Sequence, residues 1–284
     1  MLKNILYQKD ILSTKDITLE KLQLILDTAV NAEALAKAGP IQNKIIAHCF
    51  FEPSTRTRLS FETAALRLGA KTIGFSSSDG LSLQKGETLE DTIRIIDGYA
   101  DLIIIRHPES GSAEIAADIA NCPVINAGDG ANQHPTQALL DIFTIQQSQG
   151  KINSLSVALV GDLEYSRTIH SLLDLLKLYD VQLHTPSTQQ ALEEIMPQLD
   201  ILYMTRIQQE RRTELLKNPF YINKSLLKKV KSNFKILHPL PRINELSTDI
   251  DNTPYAYYFQ QAQNGVAIRQ ALLTLLLKND LGDS

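Results

Sequence analysis

The chain has 284 residues, 43% of them apolar and 21% charged, with a formal net charge of -4. That length and balance suit one large globular domain or two moderate ones. A nucleic-acid role has little support, because the densest basic cluster, Lys228, Lys229 and Lys231, is more simply a solvated helix face.

No window approaches the roughly 18 apolar residues of a membrane span, and the N-terminal stretch lacks a signal-peptide apolar run, so a cytoplasmic protein that does not engage membrane is expected. Cys49 and Cys122 sit in unrelated apolar runs without metal-type spacing and are expected as buried thiols.

Along the chain, Ile45 to Phe51 has the composition of a buried strand. Pro53 ends it, and Ser54 is placed to cap a helix over Thr57 to Leu68, with Thr55, Arg56 and Thr57 in the first turn. The polar loop SLQKGET (Ser82 to Thr88) precedes a helix that runs to Tyr99. A strand is then expected over Leu102 to Arg106, another over Val124 to Ala127, and a helix over Pro135 to Gln147. After the polar stretch Ser148 to Ser154, strands are expected at Leu155 to Gly161, Val181 to His184, Ile201 to Thr205 and Phe234 to Leu240, with a helix over Ser166 to Tyr179. Ala267 to Leu277 is apolar enough to need burial as a last helix.

Strands alternating with helices imply an α/β chain with parallel sheets. We expect two domains, each a parallel sheet flanked by helices, the second a shortened doubly wound domain. The first spans 1–149 with the returning helix 265–284, and the second spans 150–264.

Ser54 to Arg58 would gather free helix N–H groups, the positive end of a helix dipole, hydroxyls and guanidinium groups in one small volume, which suits a phosphoryl group. Ser-Thr alone is more often a plain helix cap. Further polar groups fall at strand ends, where α/β ligands bind: Arg106-His107-Pro108, Asn132 to Gln137 with His134, and His238-Pro239-Leu240-Pro241. Each has a bland alternative, a salt-bridged arginine or a loop histidine. Together His134 and Gln137 could polarise a carbonyl oxygen and accept from an NH2 group. Lys85 could equally be a surface lysine. Arg167 and Arg206, with Gln208, lie at neighbouring strand ends and suit a dicarboxylate.

STRTR, RHP, HPTQ, SRT, MTRIQ and HPLPR stand in the order and rough spacing of the aspartate and ornithine carbamoyltransferases, and from about Phe50 to Leu277 the chain resembles that family. NAGDGANQHPTQALLD and PYAYYFQQAQNGVAIRQALL look like its aspartate branch. The resemblance implies transfer of the carbamoyl group of carbamoyl phosphate to the amino group of L-aspartate, giving N-carbamoyl-L-aspartate and phosphate for pyrimidine biosynthesis. It implies no metal or redox cofactor, a homotrimer with shared active sites, and room for regulatory chains in a larger assembly.

By motif, Ser54, Thr55, Arg56 and Thr57 would hold the phosphate, with Ser82 and Lys85 supplied by the adjacent subunit. Arg106, His134 and Thr57 would surround the carbonyl oxygen. Gln137 and the backbone of Pro239 and Leu240 would face the carbamoyl amide. Arg167, Arg206 and Gln208 would hold aspartate, and Lys85 would touch both ligands. Arg56, Thr57, Lys85, Arg106 and His134 are the residues expected to carry catalysis, and Glu52 with Arg167 and Arg211 matches ion pairs linked to domain closure.

The chain departs from the family between Arg167 and Arg206, an interval shorter by about one strand and one helix. If the lost unit is the outer edge strand, the second sheet keeps the order Val181, Val157, Ile201, Ile236. Glu164 stands where relatives often carry lysine, and the Ser82 loop is one residue short. A silent paralogue is the competing reading, supported only by the shortened second domain.

Overall fold

The computed structural model describes residues 4–76, 86–208 and 220–279. Helices α1 (Leu19–Val30) and α2 (Ala32–Ala38) lead into β1 (Ile45–Phe50), which is followed by α3 (Thr55–Arg67), β2 (Lys71–Ser76), α4 (Leu89–Asp97), β3 (Leu102–His107), α5 (Ser112–Ile119) and β4 (Val124–Asp129). The four strands form a parallel sheet in the order β2-β1-β3-β4. Runs such as IIAHCF and LIIIRH are apolar almost throughout because such a strand is covered on both faces. One face packs Ala47, Cys49, Ile103, Ile105 and Val124 against Ile93 of α4 and Ala113 and Ala116 of α5.

The chain continues through α6 (Pro135–Gln149), β5 (Ser156–Val160), α7 (Arg167–Leu176), β6 (Gln182–His184), α8 (Gln189–Ile195), β7 (Ile201–Met204), β8 (Lys235–Leu237) and α9 (Tyr258–Leu277). Strands β5 to β8 form a second four-stranded parallel sheet in the order β6-β5-β7-β8. The fold is therefore α/β, two parallel sheets flanked by helices. Residues 1–139 with 265–284 form one unit and 140–264 the other, so the division falls inside α6 and α9 and not in the polar stretch after α6. No helix among the described residues is long and apolar enough to cross a membrane.

Several elements differ from expectation: helices α1, α2, α5 and α8 are not among those expected, and α9 begins at Tyr258 rather than Ala267. Strand β2 was not anticipated: KTIGFS is polar, carries a glycine and lies at the sheet edge largely exposed, so it lacks the apolar run that marks its neighbours. The last strand is shorter than Phe234 to Leu240, because the chain turns out of the sheet after Leu237 and Leu240 adopts a left-handed conformation with φ 57°.

His48 on β1 is fully buried, and among the described residues neither ring nitrogen has a hydrogen-bond partner. Burial, helped by the Arg58 charge, outweighs the field of Glu62 and pulls its pKa down to about 4. An unfolded histidine near pH 6.5 takes up a proton that the folded chain refuses until about pH 4. The stability that depends on a neutral His48 is therefore complete above pH 6.5 and is lost as pH falls toward 4, by about 3 kcal/mol in all. Denaturant unfolding at pH 7 and pH 4.5 is expected to show this loss in the wild type and a flatter dependence in His48→Leu. Equal slopes would remove His48 as its source.

Candidate active site

In the first unit the break after β1 sets the geometry. Ser54 is the N-cap of α3 in an extended conformation, its side chain making no capping hydrogen bond, while its carbonyl accepts from Arg58 N at 3.1 Å. Thr55, Arg56 and Thr57 form the first turn, with Thr57 buried and Arg56 exposed. The turn contains no acidic residue, so the positive end of the helix is left uncompensated by its own side chains.

Arg106 ends β3 and is only 9% exposed. Its Nη2 donates to Glu52 Oε1 at 2.5 Å and its Nη1 to the Ala127 carbonyl at 3.2 Å. Partial burial and the Arg106 guanidinium pull the Arg56 pKa below its ordinary value. Two arginines near enough to repel each other beside a helix N-terminus cost electrostatic energy that an incoming dianion would offset.

The loop after β4 presents His134, which is buried, immediately before Pro135 opens α6. The His134 carbonyl accepts from Gln137 N at 3.1 Å, which puts Gln137 in the first turn beside it. Residues that sequence reasoning missed hold this loop. Asp129 Oδ1 accepts from Asn126 Nδ2 at 2.8 Å and from Gln133 N at 3.1 Å, and its Oδ2 accepts from Gly111 N at 2.8 Å and Asn132 Nδ2 at 3.0 Å. Gln133 Oε1 in turn accepts from the Thr14 hydroxyl at 2.8 Å. The signal was present as NAGDGANQ, where Asn and Asp bracket a glycine turn. Gly130, at φ 47°, has no room for a side chain, since an added Cβ would lie 2.5 Å from Ser110 Oγ and 2.8 Å from Ser110 N. That close approach joins the loops after β3 and β4 and so places Arg106 and His134 at adjacent strand ends.

The second unit repeats the device. Gly161, at φ 108°, follows β5, and a Cβ there would lie 2.1 Å from the Thr205 carbonyl after β7. Thr205 N donates to the Val160 carbonyl at 3.0 Å, and Asp162 N donates to Thr205 Oγ1 at 3.0 Å. Asp162 is buried. Its Oδ1 accepts from Tyr165 N at 3.1 Å and its Oδ2 from Gln208 N at 2.9 Å, so one carboxylate ties the turn before α7 to the loop after β7. Arg167, buried, is the first residue of α7. Arg206 follows β7 and donates from Nη1 to the Ile207 carbonyl at 3.3 Å. These two arginines and Gln208 thus share neighbouring strand ends, and Asp162 was the residue not foreseen.

Pro239 and Leu240 lie beyond β8, and Leu240 N donates to His238 Nδ1 at 2.8 Å. Glu164 is exposed in the turn before α7. Ser82, Lys85 and Arg211 lie outside the described residues. Among the described residues no group of His, Cys, Asp or Glu side chains is arranged to hold a metal ion. Chemically, the first unit sets a helix N-terminus and Arg56 near a buried histidine and arginine, a combination that suits an anion, and the second sets two arginines at neighbouring strand ends, which suit carboxylates.

The carbamoyl-phosphate-binding domain of the aspartate/ornithine carbamoyltransferases matches residues 9–147, and the Asp/Orn-binding domain of the same family matches residues 184–276. The chain is 48% identical to the aspartate carbamoyltransferase catalytic subunit 2 of Shewanella halifaxensis (strain HAW-EB4), covering 99% of both. That alignment runs over 307 residues against a chain of 284, so at least 23 positions of the relative have no counterpart here. Among solved structures, the chain is similar to aspartate transcarbamoylase from Trypanosoma cruzi in complex with carbamoyl phosphate and aspartate, with 34% identity, a TM-score of 0.89 and coverage of 96% of this chain and 98% of that one. It is also similar to the catalytic subunit of M. jannaschii aspartate transcarbamoylase, with 39% identity, a TM-score of 0.87 and coverage of 97% and 100%.

Proposed function

Since the chain belongs to the aspartate/ornithine carbamoyltransferase family, we infer that it transfers the carbamoyl group of carbamoyl phosphate to the amino group of L-aspartate, giving N-carbamoyl-L-aspartate and phosphate in de novo pyrimidine biosynthesis. The observation that carries this reading is the meeting of Arg56, Arg106 and the α3 N-terminus at the ends of β1 and β3.

In this reading Ser54, Thr55, Arg56 and Thr57 bind the phosphate. Thr57, Arg106 and His134 donate to the carbonyl oxygen, and Gln137 with the backbone of Pro239 and Leu240 takes the carbamoyl NH2. Arg167, Arg206 and Gln208 hold the two carboxylates of aspartate. The amine attacks the carbonyl carbon, negative charge grows on the carbonyl oxygen, and the C–O bond to phosphate breaks as the tetrahedral centre collapses. Fixed donors aimed at that oxygen and at the leaving phosphate stabilise the charge where it develops, and positioning of the amine removes much of the entropic barrier. The proton of the amine passes to the departing phosphate.

Substituting ornithine or other amino acids for aspartate tests the acceptor. Carbamoylation is expected with aspartate alone, and comparable turnover with ornithine would reassign it.

The homotrimer is part of the same proposal. It is supported by apolar side chains left exposed in the first unit: Leu59 and Leu66 on one face of α3, Ile73 on the edge strand β2, and Ile95 and Tyr99 at and just after α4. In that assembly Ser82 and Lys85 would be supplied to the neighbouring subunit's site. Mixing inactive Lys85→Ala and Arg56→Ala chains is then expected to restore part of the activity, because some sites in mixed trimers carry neither substitution. No recovery in mixed trimers would show that each chain completes its own site. A cytoplasmic setting suits the two free thiols, Cys49 and Cys122.

A further inference from the structure

His238 is 1% exposed and stands at the point where the chain leaves β8 for the Pro239–Leu240 loop. Every polar atom around it is directed. Its backbone N–H donates to Gln261 Oε1 at 2.8 Å, Gln261 Nε2 donates to Asp141 Oδ1 at 2.7 Å, and Asp141 Oδ2 accepts from the Tyr203 hydroxyl at 2.8 Å. The ring itself spans the loop. Nδ1 accepts from Leu240 N at 2.8 Å, and Nε2 lies 2.9 Å from Glu245 Oε1.

A nitrogen that accepts an N–H carries no proton of its own, so the bond from Leu240 fixes the tautomer: the ring is neutral and its proton sits on Nε2, donated to Glu245. Burial pulls the His238 pKa down, in agreement with a neutral ring. Glu245 is also buried and accepts from Ile243 N at 3.2 Å and Asn244 N at 3.1 Å. The imidazole therefore grips the loop at Leu240 on one side and, through Glu245, at residues 243 and 244 on the other. Between the grips Leu240 is held at φ 57°, a conformation that a leucine does not adopt unaided.

We propose that His238 is a positioning residue for carbamoyl transfer: through the Leu240 N–H to Nδ1 bond it fixes the direction of the Pro239 and Leu240 carbonyls, and so the recognition of the carbamoyl NH2. The inference rests on the reading that this backbone meets the amide. His238 contributes no atom to the substrate; it sets the angle at which two backbone acceptors are presented. A ring that only filled space would have no need of a hydrogen bond to each flank of the loop.

The test separates the amide from the phosphate. In His238→Gln the new side chain can still donate to Glu245 from the Nε2 position but leaves Leu240 N–H without its acceptor. In His238→Asn the side-chain oxygen lies near the Nδ1 position and can accept from Leu240. His238→Gln is expected to raise the KM for carbamoyl phosphate roughly 10- to 100-fold, while inhibition by inorganic phosphate, which has no amide, stays at the wild-type level. His238→Asn is expected to keep most of the wild-type KM. Equal losses in both variants, or parallel weakening of carbamoyl phosphate and phosphate, would overturn the proposal.

If His238→Gln does not accumulate as folded protein, Glu245→Ala, which releases the far side of the ring, is expected to give the same selective loss in smaller measure. Unchanged carbamoyl phosphate KM in that variant would count against the grip. Failure of the wild type itself to make carbamoyl aspartate would instead remove the reading on which the inference stands.

Discussion

Arg106→Ala is expected to lower kcat about 100- to 1,000-fold, which corresponds to losing about 2.7 to 4 kcal/mol of transition-state stabilisation, the range found when one donor to a developing oxyanion is removed. The size of the effect comes from where the side chain sits. Arg106 is largely buried at the end of an otherwise apolar run on β3, and is oriented by Glu52 and the Ala127 carbonyl. A donor held in place by its surroundings does not need to reorganise as charge grows, and partial exclusion of water strengthens each hydrogen bond it makes. Arg106→Lys keeps the charge but not the planar fork, and is expected to recover only part of the loss. Steady-state kinetics with both substrates saturating reads the effect. Near-normal turnover in Arg106→Ala would refute the role.

Arg206→Ala is expected to raise the KM for aspartate roughly 10- to 100-fold, as removal of a charge-assisted hydrogen-bonding partner does, with little change in the KM for carbamoyl phosphate. The selectivity comes from the second sheet. Arg206 stands after β7, and Gln208, two residues on, is tied through its N–H to Asp162 just after β5. Truncating Arg206 removes one fork and leaves Asp162, Thr205 and the Gly161 approach undisturbed. Initial rates against each substrate in turn give the two KM values. Equal losses for both substrates would show that Arg206 acts on the whole site and not on the acceptor.

Much of this was legible in the sequence, for a physical reason. Strands buried on both faces must be apolar almost throughout, so β1, β3, β4, β5 and β7 announced themselves, and the order β6-β5-β7-β8 follows from doubly wound chain connections. Ser54 and Pro135 marked helix starts because capping and N-terminal proline are local chemistry. What could not be read was cooperative. Strand β2 is an exposed edge with no apolar signature. NAGDGANQ signals a turn, but that Asp129 holds Gly111 N–H, and that Asp162 holds Gln208 N–H, depends on backbone groups brought together only by folding. The grip of His238 on Leu240 and Glu245 likewise depends on a loop that bends back on itself.

The shortened second unit bears most directly on function. At least 23 positions of a 48% identical relative are missing here, and the second family match begins only at His184, the last residue of β6. Strand β6 is the edge of the four-stranded sheet, whereas β5 and β7, which lead to Arg167 and Arg206, are its two central strands. If the missing positions belong to an outer unit next to β6, the central strand ends are untouched, and Gly161, Asp162 and Thr205 remain in mutual contact. A silent copy of the enzyme would be expected to have lost some of these groups.

The most direct measurement is therefore the formation of N-carbamoyl-L-aspartate by the purified full-length chain given carbamoyl phosphate and L-aspartate, with released phosphate counted alongside. One phosphate per carbamoyl aspartate, in a reaction abolished by Arg56→Ala and Arg106→Ala, is the predicted result. No product from a folded chain that binds both substrates would contradict the account.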